Sequence, residues 1–139
     1  MRIALATLVL VWLAVLSAYD IRERRLPNLL TVPGAGVILL AGGLAGRGFP
    51  ALAGAAALTG VYVLVHLVSP TGMGAGDVKL AIGLGGLAGC FGVGVWFLAA
   101  LAAPLLTALC GMLGGVRTVP HGPSMCLATG CAVGAALLG

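Results

Sequence analysis

Negative charge is scarce in this chain: its 139 residues include three carboxylates, Asp20, Glu23 and Asp77. With 7% of residues charged, 61% hydrophobic and a mean hydropathy of +1.22, a water-soluble domain could not cover its surface. The expected class is therefore an all-α, polytopic integral membrane protein, with residues 1–139 forming a single membrane-embedded domain. The signatures of several other chemistries are missing. There is no CxxC pair among Cys90, Cys110, Cys126 and Cys131, and no HExxH around His66 or His121, so no metal site is expected. The cysteines read as small buried hydrophobes. No GK[ST] ending follows the glycines at 72–76, which argues against nucleotide binding, and no cofactor is expected. The net charge of +4 sits in short breaks between apolar runs, where it sets orientation and does not mark nucleic-acid binding. No clean Ala-x-Ala site follows the first run, so it reads as a retained helix and not a cleaved signal.

What is present is a series of apolar runs, at about 3–19, 32–46, 50–68, 78–92, 93–113 and 124–138. Six helices are preferred, although the fourth and fifth runs are separated only by an uncharged glycine-rich stretch and five with a re-entrant piece would also fit. "VPG" at 32–34, "RGFP" at 47–50, "SPTGMG" at 69–74 and "VPHGP" at 119–123 read as breaks. With six spans, Arg22, Arg24, Arg25, Lys79 and Arg117 share one side against Arg2 and Arg47 on the other. The first side is thereby predicted to be cytoplasmic. Gly42 with Gly46, and Gly85 with Gly89, have the spacing of close helix contacts.

Asp20 ends the first apolar run and Asp77 opens the fourth, and the topology puts both on the cytoplasmic side. Two aspartates at one depth in a low-dielectric bundle can share a proton and position a water. One acts as general base while its neutral partner hydrogen-bonds a scissile carbonyl. Gly72, Gly74 and Gly76, just ahead of Asp77, permit close approach of an extended peptide and an abrupt helix start. Residue chemistry alone leaves plainer roles open. Asp77 would also serve as N-cap of a helix starting at Val78, and Asp20 as an interfacial partner of Arg22 or Arg24. Lys79 and the Arg22–Arg25 cluster fit as topology anchors, Asn28 as a helix-start polar group, and His66 as a polar helix contact.

Three segments together resemble the type IV prepilin peptidases. "YDIRERRLPNLLTVP" is similar to their first aspartate motif, in which a Pro-Asn pair follows the aspartate. "GMGAGDVKL" is similar to the second, Gly-x-Gly-Asp with a following Lys, and "VPHGPSMCLATG" to the late Pro-x-Gly-Pro stretch, with His121 standing where an aromatic is commoner. The resemblance implies a membrane aspartyl endopeptidase that removes the leader of prepilins or pilin-like secretion subunits at the cytoplasmic face of a bacterial inner membrane, in the service of pilus biogenesis and protein secretion. It implies Asp20 and Asp77 as the catalytic pair, with Gly74, Gly76, Lys79, Pro27 and Asn28 in supporting or substrate-binding roles. Larger members carry a methyltransferase portion with two cysteine pairs, so a short, peptidase-only form is implied. The partners implied are a pilin precursor and the lipid bilayer; oligomeric state is not implied. The alternative is a small membrane transporter or assembly subunit that uses Asp20 and Asp77 for proton or cation handling.

Overall fold

The structure, a computed structural model, describes residues 2–23, 26–69, 74–115 and 120–138. The expected topology signals Arg24, Arg25 and Arg117, and the expected loop glycine Gly72, lie outside the described residues. The described residues form six helices and no strand: α1 (Arg2–Glu23), α2 (Asn28–Leu44), α3 (Gly48–Val68), α4 (Ala75–Cys90), α5 (Val93–Gly114) and α6 (His121–Leu138). Four of them, α1, α3, α5 and α6, are long and apolar enough to cross a bilayer. Large apolar side chains such as Leu8, Leu40, Leu64, Leu101 and Leu105 point outward, as expected where lipid replaces water.

Three of the six helices start three or four residues ahead of their apolar runs. α2 begins at Asn28 and runs through Pro33, so "VPG" is not a break. Pro27 is its N-cap, with an extended backbone and a carbonyl that accepts from the N–H of Leu30 and of Thr31. α4 begins at Ala75 and α6 at His121, so most of "VPHGP" is already helical. α1 runs on past its apolar stretch to Glu23, which places Asp20 inside its last turns and not at its end. The weakly marked break between the fourth and fifth runs is real: Gly92 stands there at φ 112°, a conformation costly for any side chain, and α5 starts after it.

α4 is the central helix, packed against α2, α3, α5 and α6. Its tightest neighbour is α3, because Gly85 and Gly89 face Gly54 and Pro50 with no side chain between the backbones. A Cβ on Gly85 would stand 2.6 Å from the Gly54 carbonyl oxygen and 2.9 Å from the Leu58 Cβ. Gly85→Ala is therefore expected to push α3 from α4 and cost about 1–3 kcal/mol, read as a lower midpoint of thermal unfolding in detergent. The other expected glycine pair, Gly42 with Gly46, is only half realised. Gly42 is buried against Cys90 and Ala51, whereas Gly46 lies beyond the end of α2 with open space around it. The cysteines divide as well: Cys126 is buried, Cys90 is half-buried, and Cys110 and Cys131 are exposed, a position that bilayer makes inexpensive for a weakly polar thiol.

Indole N–H groups tie the bundle together. Trp12 of α1 donates to the Leu30 carbonyl of α2 at 2.8 Å, and Trp96 of α5 to the Gly54 carbonyl of α3 at 3.0 Å. At the far end from the carboxylates, the Arg47 guanidinium donates to the Cys90 carbonyl at 2.8 Å and satisfies an acceptor at the C-terminus of α4.

Candidate active site

The end of α1 and the starts of α2, α4 and α6 converge at one end of the bundle. Leu26, buried just ahead of Pro27, lies against Gly76, where an added Cβ would come within 3.2 Å of its own Cβ. Lys79, one turn into α4, donates from Nζ to the Asn28 side-chain oxygen at 2.9 Å. The two sequence motifs thus meet directly, through one apolar and one polar contact. Between them opens a cleft of about 510 Å³, lined by Asp20, Asn28, Gly74, Gly76, Asp77 and Lys79 among others. Six of the seven expected site residues line this cleft; Pro27 instead caps α2 beside it.

The carboxylates are held differently. Asp77 is not the N-cap of its helix; Gly74 is, and Asp77 is the third helical residue, its carboxylate taking the Gly74 N–H. This is the return half of a capping box. It turns the carboxyl toward the first turn and the open cleft, ahead of the apolar run that begins at Val78. Burial, and after it the negative charge of Asp20, push the Asp77 carboxyl up to about 7, against the opposing effect of the Gly74 N–H. The Coulomb coupling of Asp20 to Asp77, and their shared cleft, bring the pair into one electrostatic unit.

Asp20 is buried, with 7% of its surface exposed. Its Oδ2 accepts the Gly122 N–H at 2.8 Å, across 102 residues of sequence. Gly122 is the second residue of α6, where backbone N–H groups have no partner within the helix, so α1 supplies from outside a cap that α6 lacks. A Cβ on Gly122 would fall on the Asp20 carboxylate; only glycine leaves room for the contact. One turn along α6, Cys126 packs against α1 through a side-chain hydrogen bond with Ser17.

The residue before Gly122 is His121, and both of its ring nitrogens are engaged. The Tyr62 hydroxyl of α3 is 2.7 Å from Nε2, and the Thr107 hydroxyl of α5 is 2.7 Å from Nδ1. Tyr62, Thr107 and Gly122 escape a reading of the sequence, because the partners lie 59, 14 and 102 positions apart and fit no local pattern. The one available signal is the rarity of polar side chains on these helices. His66, one turn beyond Tyr62 on α3, is half-buried.

The model of the type IV leader peptidase family matches residues 7–113. The chain belongs to that family. No curated protein and no solved structure matches it. Membership in the type IV leader peptidase family makes the protein a membrane-embedded peptidase of the leader-cleaving kind, with pilus biogenesis as its setting. The matched stretch contains Asp20 and Asp77 with their flanking motifs; His121 and Gly122 lie beyond it.

Proposed function

We propose that the protein cleaves the leader of a pilin-like precursor as an aspartyl endopeptidase, with Asp20 and Asp77 as the catalytic pair. The observation that carries the reading is the single cleft lined by both carboxylates and by the glycines ahead of Asp77. The two aspartates are not equivalent, and the difference suits a division of labour. Asp20, which accepts an N–H at the positive end of α6, is placed to hold negative charge and take a proton from water. Asp77, with its carboxyl pushed up to about 7, is placed to be the protonated partner.

In the resulting cycle the water oxygen bonds to the scissile carbonyl carbon as its proton passes to Asp20, and the Asp77 proton moves to the carbonyl oxygen. The tetrahedral intermediate then collapses. The C–N bond breaks, the amine leaves with the proton from Asp20, and the hydroxyl proton returns to Asp77, so both groups end as they began. Gly74 and Gly76 leave the peptide backbone room to lie beside Asp77, and the Lys79–Asn28 bond holds the two walls of the cleft in register. A basic leader gains nothing from the +4 charge of the whole chain, so Glu23, exposed at the end of α1, is the carboxylate left for a local contact with it. Docking of the apolar precursor helix against the helices supplies the rest. The site faces the cytoplasm of a bacterial inner membrane in this reading, the side favoured by the Lys and Arg count.

The test is to co-express the protein with a pilin-like precursor and determine the N-terminus of the membrane-embedded product. Recovery of the intact leader under all conditions would end the peptidase reading. The same assay in detergent has an expected pH dependence. Asp77 is protonated below about 7 and loses its proton above it, so initial rates should fall by about tenfold per pH unit on the alkaline side of neutral.

A further inference from the structure

His121 stands beside Gly122, whose N–H meets Asp20, yet neither ring nitrogen faces the cleft. Its hydrogen bonds have one self-consistent assignment. The Thr107 hydroxyl lies 3.2 Å from the Ala103 carbonyl, to which it donates, and so accepts from Nδ1–H of His121 at 2.7 Å. Nε2 is then the unprotonated nitrogen, and the Tyr62 hydroxyl donates to it at 2.7 Å. The imidazole is neutral with both nitrogens committed, tethered to α3 on one side and to α5 on the other. The Tyr62 ring, buried at 5% exposure, also lies against the imidazole with centroids 5.6 Å apart. No proton is left over for chemistry, and the arrangement has the form of a mount.

We infer that His121 is a positioning residue: clamped between Tyr62 and Thr107, it fixes the first turn of α6 so that the Gly122 N–H holds the Asp20 carboxylate in place for catalysis. The inference rests on the proposed role of Asp20. The helix start itself offers no competing fixture, since Pro120 and Pro123 on either side have no N–H to give and α6 begins at His121 itself. A first turn freed by one ångström carries Gly122 with it, and catalytic geometry is sensitive on that scale.

The test uses the full chain in detergent with a pilin-like precursor and the variants His121→Ala, Tyr62→Phe, Thr107→Val and His121→Asn. In His121→Ala, kcat should fall roughly 10- to 100-fold with KM within about twofold of wild type, because the group displaced acts in the chemical step. Tyr62→Phe in the His121→Ala background should add no further loss, since the hydroxyl acts only through the imidazole. His121→Asn keeps a donor for Thr107 and should recover part of the loss. A rise in KM at unchanged kcat, or fully additive losses, would overturn the inference. A second readout is independent of cleavage: amide hydrogen exchange at Gly122, read by NMR in micelles. Exchange there should quicken in His121→Ala while the amides later in α6 keep their protection. An unchanged Gly122 rate would overturn the inference even with an inactive wild type, whereas faster exchange with an uncleaved precursor would support the mount and count against the peptidase reading alone.

Discussion

Asp77→Asn and Asp20→Asn are each expected to reduce cleavage of a pilin-like precursor by at least about 10³-fold while leaving the protein folded in the membrane. The argument is one of protons. An amide at position 77 can still donate a hydrogen bond to the substrate carbonyl but has no proton to transfer, and an amide at position 20 cannot take one from water. Either change also removes half of a coupled pair, so the remaining carboxyl loses the charge that distinguishes it from its partner. The double variant should be scarcely worse than either single one, as for groups that act as a unit. The measurement is the yield of mature product in time-resolved co-expression, with membrane insertion checked by protease protection. Undiminished processing by either variant would remove that aspartate from the mechanism.

The second large effect is expected at Gly122. Replacing it with valine places a branched side chain where the Asp20 carboxylate now lies, so the N–H contact cannot form. The loss of a buried hydrogen bond to a charged group costs about 1.5–3 kcal/mol, and the displacement of Asp20 comes on top of it. Cleavage should fall by about 10² or more, with the unfolding midpoint lowered in the same variant. Pairing Gly122→Val with Asp20→Asn separates the two effects: activity should fall no further than with Asp20→Asn alone, whereas the stability loss should persist because the valine still meets an amide of the same size as the carboxylate. A Gly122→Val protein with wild-type activity would show that the N–H contact does not serve Asp20.

Much of this architecture is legible in the amino-acid sequence. The six apolar runs correspond one for one to α1–α6, because a bilayer rewards length and apolarity more than any fine periodicity. The two aspartate motifs, read as converging, do line one cleft. The helix starts are less legible. Asn28 does read as a helix-start residue, but Ala75 to Asp77 and His121 to Pro123 look like loop in sequence, since first turns attract the small, polar and proline residues that also mark breaks. Those first turns hold the lining of the cleft and its supports, so the error falls at the residues with most to say about function. Hidden altogether is the clamp of Tyr62 and Thr107 on His121. Each of the three polar groups reads singly as a tolerable exception on an apolar helix, and only packing brings them together.

The 16 residues of α4 have a consequence for the access of water to the cleft. At about 1.5 Å per residue the central helix measures roughly 24 Å, against a hydrocarbon core of about 30 Å, and its far end is tethered by Arg47. Because α4 is enclosed by the longer α3 and α5, the shortfall leaves a dimple in the bundle itself at the end that carries Asp77, where the cleft opens. The dimple so formed brings the aqueous phase down to the depth of the cleft. A scissile bond at the junction of a polar leader and an apolar helix could thus be hydrolysed there while the apolar helix remained in the membrane.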